Sequence, residues 1–230
     1  MSPSSPTGRS AGSARSSRPA PGRRLFAHDR ALGFRYVAGA DEAGRGCLAG
    51  PLVAAAVLLD LERLTRADLR ELAGLDDSKR HTPAARADLY PRILRVAARV
   101  AVVSRCAAGI DARGLHVTNL AALHDALRAV ARPGCICLSD GFPVAPLGVE
   151  QRAVVRGDAT SAAIAAASVI AKETRDRYMR RVDQRIPGWG FAQHVGYASP
   201  EHRSAIQRFG VTPLHRLSFQ SIAYQQLSLG

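Results

Sequence analysis

The sequence predicts an α/β fold, and three observations carry the prediction. Short apolar runs bounded by turn residues recur along the chain and read as strands: Tyr36 onward, the run after Pro51, 96–106, 135–138 and 149–155. Longer stretches with apolar residues at helical spacing lie between them, most clearly 114–130 and 161–185. The 230 residues suit one domain with an appended lobe, or two small domains, and are long enough to bury a sizeable core.

Residues 1–30 are rich in Ser, Pro, Gly, Ala and Arg and nearly free of acids, so a disordered basic tail is expected there. Such a start also has the composition of an organelle transit peptide, but it lacks amphipathic periodicity and contains several prolines. The remainder is expected to divide into a main domain over 31–195 and a helical lobe over 196–230.

The most informative stretch follows the tail. Tyr36–Ala40 is a short apolar run that ends on two adjacent acids, Asp41 and Glu42; a loop with Gly44, Arg45, Gly46 and Gly50 follows, and Pro51 opens a second apolar run. That run is alanine-rich, but its length and its Val and Leu ends favour a buried strand. Adjacent carboxylates repel, which a divalent cation relieves, and glycines behind them let backbone approach a ligand closely. A solvated acidic turn is the plain alternative. A dinucleotide loop is disfavoured: it needs a helix after the glycines and no acids before them. Neighbouring residues of a regular strand point to opposite faces, so the strand is expected to end or bend at Glu42, or one acid to act through water.

A polar segment, 61–75, leads to Asp76-Asp77-Ser78-Lys79. Thr82-Pro83 reads as an N-cap followed by proline at the first helical position, with a helix to about Arg95. The 114–130 helix stops at Pro133-Gly134, and Cys135–Leu138 delivers Asp140 just before Gly141, a common place for a site residue and equally for a turn. A strand then leads through Arg156-Gly157-Asp158 to the longest helix, 161–185, whose small residues Ala162–Ala167 permit close approach to a sheet. On it, Lys172, Arg175 and Asp176 read either as surface ion pairs, the preferred reading for the last two, or, for Lys172, as a phosphate contact. Pro187-Gly188 ends that helix, and Ser199-Pro200 begins another that Gly210 terminates.

The formal charge of +13 implies a polyanionic partner, nucleic acid first. Only two lysines, Lys79 and Lys172, stand among the many arginines, and both fall in candidate motifs, where a compact ammonium matters. Cys47, Cys106, Cys135 and Cys137 have no zinc spacing and read as small core residues of a reducing compartment. With no secretory signal and no membrane-spanning run, a cytoplasmic monomer is expected. There is no serine-nucleophile elbow and no triphosphate loop.

These motifs together resemble ribonuclease HII, the type 2 ribonuclease H family, from about Ala38 to Phe219. The resemblance rests on Asp41-Glu42-Ala43-Gly44-Arg45-Gly46, Asp77-Ser78-Lys79, Leu138-Ser139-Asp140-Gly141, Arg156-Gly157-Asp158, Ala171-Lys172 with Arg175-Asp176, His194-Val195-Gly196-Tyr197, and His215-Arg216-Leu217-Ser218-Phe219. Arg156 and Val195 depart from it, since the family usually has Lys at both. The resemblance implies a ribonuclease-H-like mixed five-stranded sheet flanked by helices, with a small C-terminal helical lobe. It implies cleavage of the RNA strand of RNA–DNA hybrids and nicking of DNA 5′ to embedded ribonucleotides, leaving 3′-hydroxyl and 5′-phosphate ends. The acids at strand ends and turns, Asp41, Glu42, Asp140 and Asp158, would hold two divalent cations, Mn²⁺ or Mg²⁺, through oxygen. Gly44, Arg45, Gly46 and Tyr197 would read the 2′-hydroxyl, which separates RNA from DNA. Lys79, Arg156 and Lys172 would contact the substrate. Ribonuclease HIII and a non-catalytic nucleic-acid binding protein are the competing expectations.

Overall fold

At the centre of the computed structural model, which describes residues 21–76, 81–219 and 224, is a five-stranded sheet. Its strands are β1 (Tyr36–Ala43), β2 (Leu52–Asp60), β3 (Arg99–Arg105), β4 (Cys135–Asp140) and β5 (Glu150–Val154), in the order β3-β2-β1-β4-β5. β2 runs antiparallel to β1 and β3, whereas β4 runs parallel to β1 and β5, so the sheet is mixed as expected. The alanine-rich run is the strand β2, buried along its whole length, because it lies second in the sheet with helices above and below.

One face carries α6 (Ala162–Arg185), flanked by α1 (Pro21–Ala31) and α3 (Pro83–Val96); α5 (Leu115–Val130), with the short α4 (Ala107–Arg113) beside it, covers the other. The first ten residues of α6 are buried on every side, the state in which an all-apolar helix is stable. Alanines allow the close approach, and Gly39 on β1 completes it: a Cβ there would lie 2.2 Å from the Ile164 nitrogen and 2.3 Å from the Ala163 carbonyl carbon. The start of α6 is capped twice. Ser161 Oγ accepts from the Ile164 N–H at 3.3 Å, and Asp29 Oδ2 from the Ala163 N–H at 3.0 Å.

Asp29 belongs to α1, which corrects the expectation of a disordered tail over 1–30. Leu25 and Phe26 enter the core beside α6, and Asp29 is fully buried on its N-terminus. The composition of thirty residues, averaged, hid one short amphipathic segment. Three further short helices were not foreseen: α4, α2 (Arg66–Glu71), which a Thr65–Asp68 capping box opens inside the polar segment, and α7 (Phe191–His194). Cys106, which precedes α4, is exposed, unlike the three buried cysteines.

The C-terminal region contains α7 (Phe191–His194) and α8 (Pro200–Phe209). Its packing begins before residue 196, because the Trp189 ring lies 5.5 Å from Phe209 and Phe191 5.5 Å from His202. Its last described segment is stitched to the loop after β1. The Gly50 N–H donates to the Leu214 carbonyl at 2.8 Å, and the Arg216 N–H to that of Leu48 at 2.8 Å. Among the described residues, no helix is long and apolar enough to cross a membrane.

Candidate active site

The parallel ladder between β1 and β4 ends at the pair Ala40–Ser139. The next residues in register are Asp41 and Asp140, so two carboxylates stand at adjacent strand ends where the ladder stops and the sheet opens. Both fall on the face covered by α6, since Asp41 continues the side of Val37 and Gly39, and Asp140 that of Ile136 and Leu138. Asp41 is 6 % exposed; its Oδ1 accepts from the Glu42 N–H at 2.7 Å, and Ser168 of α6 hydrogen-bonds its carboxyl. Burial, then the Glu42 and Asp140 carboxylates, push the Asp41 carboxyl well above the usual carboxylate range. Asp140 Oδ1 accepts from the Gly157 N–H at 2.6 Å, which ties it to the 3₁₀ turn Gly157–Ala159 and hence to the buried Asp158.

Pairing of β1 with β2 continues without a break through Ala43, so the strand does not end at Glu42 as expected. Glu42 nonetheless lines the same recess as Asp41, Asp140 and Asp158. The recess wraps around the strand end past the β4 ladder, where side chains from both faces of β1 reach it. Arg45 Nη1 lies 3.7 Å from Glu42 Oε1, and its guanidinium packs over the Phe142 ring at 4.9 Å.

The loop after the acids is held from beneath by two buried arginines. Arg175 of α6 donates to the Pro51, Ala49 and Val195 carbonyls at 2.8, 2.9 and 2.8 Å. Arg216 donates twice to the Gly50 carbonyl, at 3.1 and 2.9 Å, and once to that of Arg45 at 3.0 Å. Arg175 is therefore not in a surface ion pair; it is fully buried and binds carbonyls. It also explains Gly44, whose φ is +87° and whose Cβ would lie 2.0 Å from Arg175 Nε.

Tyr197 enters the recess from the C-terminal region. Two neutral histidines hold its backbone: His202 Nδ1–H donates to the Tyr197 carbonyl at 2.8 Å, and His202 Nε2 accepts from His215 Nε2–H at 3.2 Å. His215 Nδ1 in turn accepts from the Thr212 N–H at 2.8 Å, which fixes its tautomer. Burial lowers both imidazoles to about 4. Burial and the Cys47 thiol raise the Tyr197 phenol, so it remains a hydrogen-bond donor at neutral pH. Val195, just before, adopts a left-handed φ of +44° that β-branched residues avoid, held by the Arg175 contact to its carbonyl.

Of the residues singled out in the sequence, Asp41, Glu42, Gly44, Arg45, Gly46, Asp140, Asp158, Lys172 and Tyr197 line one recess of about 570 Å³. Arg156 does not line it; it precedes the turn carrying Asp158, in a left-handed conformation. Lys79 lies outside the described residues. The sequence reading missed two lining residues, Ser168 and Arg86. Arg86 had a signal: it stands three and seven residues before Leu89 and Ile93, interrupting the buried stripe of α3. Asp176, assigned to surface pairing, is buried and takes both Arg86 and Lys172.

Four carboxylates in one recess are an all-oxygen donor set of the kind hard divalent cations take. Among the described residues, no three His, Cys, Asp or Glu side chains close into a ligand shell by themselves.

Residues 38–222 match the sequence profile of the family described as Ribonuclease HII. The chain is 50 % identical over 202 residues to a ribonuclease HII of Salinispora tropica, covering 86 % of this chain and 73 % of that one. Its structure is similar to that of the ribonuclease H2 from Pyrococcus horikoshii OT3, with a TM-score of 0.69 and 26 % identity over 84 % of this chain and 97 % of the other. A structure of Bst-RNase HIII in complex with Mn²⁺ shares the fold, with a TM-score of 0.62 and 20 % identity over 95 % of this chain and 76 % of the other. With the profile match spanning both strand-end acids, the arginine-held loop and Tyr197, this chain belongs to the ribonuclease HII family and is an endoribonuclease, a hydrolase of phosphodiester bonds.

Proposed function

We propose that the chain hydrolyses the RNA strand of RNA–DNA hybrids and nicks duplex DNA 5′ to an embedded ribonucleotide, leaving 3′-hydroxyl and 5′-phosphate ends. One observation carries the reading. The strand-end acids and the loop and tyrosine suited to reading a 2′-hydroxyl share a single recess. Asp41, Glu42, Asp140 and Asp158 would hold two divalent cations, Mg²⁺ or Mn²⁺. Bound there, such ions would supply activation of a water and stabilisation of the leaving oxygen of a phosphodiester.

The chain's own residues supply position and selectivity. Gly44 and Gly46 bring backbone, not side chain, to the substrate, and Arg175 and Arg216 keep that backbone from moving. The Tyr197 phenol donates to the 2′-hydroxyl and its half-exposed ring stacks on the adjoining sugar. Lys172 contacts a phosphate oxygen from the recess wall, and Arg45 joins Gly44 and Gly46 at the 2′-hydroxyl. Withdrawing protein hydrogen bonds from a substrate lacking the 2′-hydroxyl leaves polar groups unpaired, which is the basis of discrimination.

The test is cleavage of DNA duplexes carrying zero, one or four ribonucleotides, first with Mg²⁺ and then with Mn²⁺. The all-DNA duplex should stay intact and the single-ribonucleotide duplex should be cut once, on its 5′ side. Asp140→Asn should abolish cleavage without lowering the melting temperature. Near wild-type cleavage by that variant at saturating metal would remove Asp140 from the chemistry, and metal-independent cleavage would end the carboxylate assignment.

A further inference from the structure

Asp176 on α6 carries two cations. Its Oδ1 accepts from Lys172 Nζ at 2.7 Å and its Oδ2 from Arg86 Nη2 at 3.2 Å. The members differ in access: the Arg86 and Asp176 side chains are 8 % and 6 % exposed, that of Lys172 22 %. Arg86 is fixed from its other side by a 2.7 Å bond from Nη1 to the His81 carbonyl. The nearby acid of α6, Glu173, is taken by Arg177 at 2.7 Å and Arg180 at 3.8 Å. Lys172 Nζ lies 5.4 Å from the Tyr197 ring centroid, and the carboxylates of Asp41, Glu42, Asp140 and Asp158 line the same recess.

We infer that Arg86 is a positioning residue that neutralises Asp176 from below and so leaves the Lys172 ammonium with charge to spend on a backbone phosphate next to the sugar that Tyr197 reads. The inference rests on the function proposed above. Its core is charge counting: two cations against one carboxylate leave one positive unit, presented by Lys172, the more exposed of the two cations that line the recess. Without Arg86, Lys172 and Asp176 form a neutral i,i+4 pair and the phosphate loses its partner. Arg86 acts through Lys172 and is not itself required to touch the substrate.

The test follows the charge. Binding of a fluorescein-labelled DNA duplex with one embedded ribonucleotide is measured by anisotropy, without divalent metal, across a salt series; KM, kcat and melting temperature are recorded for the same proteins. Arg86→Gln should weaken binding, raise KM more than it lowers kcat, and make the slope of log K against log salt shallower by about 1. Arg86→Gln/Asp176→Asn restores one net positive charge and should recover the slope and most of the KM. Asp176→Asn alone leaves two cations and should bind the duplex at least as tightly as wild type. A merely structural pair predicts the reverse: Asp176→Asn weakens binding, and the double variant is no better than Arg86→Gln. Either result overturns the inference, and Asp176→Asn still decides it if Arg86→Gln does not fold. Slopes that follow the charge in a protein that cuts no ribonucleotide-containing duplex would sink the functional reading and leave the phosphate site standing. A cutting enzyme whose slopes are the same in every variant would sink this inference alone.

Discussion

Gly39→Ala is the substitution that most directly tests how the sheet positions the recess. The added methyl would lie 2.2 Å from the Ile164 nitrogen, where ordinary contact begins at 3.4 Å. The obstacle is the backbone of α6, not a flexible side-chain end, so β1 and α6 must separate by about 1.2 Å. Overpacking a core costs 1–3 kcal/mol, and the upper end, about 3 kcal/mol, applies where backbone must yield. For a chain of this size that is a fall of roughly 6–12 °C in melting temperature. The same displacement carries Ser168 away from Asp41, and a misplacement of about 1 Å in a catalytic arrangement can cost roughly a hundredfold in rate. Differential scanning fluorimetry and single-turnover cleavage at saturating metal measure the two effects separately. A Gly39→Ala protein that melts within about 1 °C of wild type and cuts at its rate would refute the claim that contact between α6 and β1 sets the site.

Tyr197→Phe should cost about 0.5–1.5 kcal/mol in kcat/KM on a single embedded ribonucleotide, one neutral hydrogen bond; Tyr197→Ala should cost roughly 1–3 kcal/mol more by losing stacking. The alanine loss should be smaller on a long hybrid, which offers many registers; equal losses on both substrates with a lowered melting temperature would make Tyr197 a packing residue. Deleting residues 1–20 should weaken nonspecific DNA binding at low salt and leave the cleaved bond unchanged, whereas deleting 1–31 should destabilise the fold because Leu25, Phe26 and Asp29 leave the core; equal melting temperatures for the two truncations would contradict the packing of α1. His202 and His215 titrate near 4 in the folded protein against about 6.5 unfolded. Their contribution to stability is whole above pH 6.5 and declines as pH falls from 6.5 to 4, where the unfolded chain binds protons and the folded one does not. Imidazole NMR shifts of the folded protein should therefore stay flat from pH 7 to 5; a midpoint near 6.5 for either histidine would show that the pair is not buried and neutral.

What could be read in the sequence was what depends on short spans. Alternating runs and spacings gave the strands and long helices, Thr82, Ser161 and Ser199 marked helix starts with their own hydroxyls, and the acids stood out because they end apolar runs. The family resemblance added the sheet type and brought Asp140 and Asp158 into one set with Asp41 and Glu42. Averages over long windows misled: Leu25, Phe26 and Asp29 were lost in a tail of Ser, Pro and Arg, although they seal the start of α6. Glu42 misled for the opposite reason, since the alternation of side chains along a strand is local, but the place where the β4 ladder stops is not. Arg175 and Asp176 read as surface ion pairs because spacing along one helix records only which residues share a face. It does not record that the loop at 49–51, more than a hundred residues away, turns its carbonyls toward Arg175, or that Arg86 of α3 meets Asp176. A charged side chain is buried only when partners from other parts of the chain satisfy it, so the fate of each buried charge here was decided by tertiary contact.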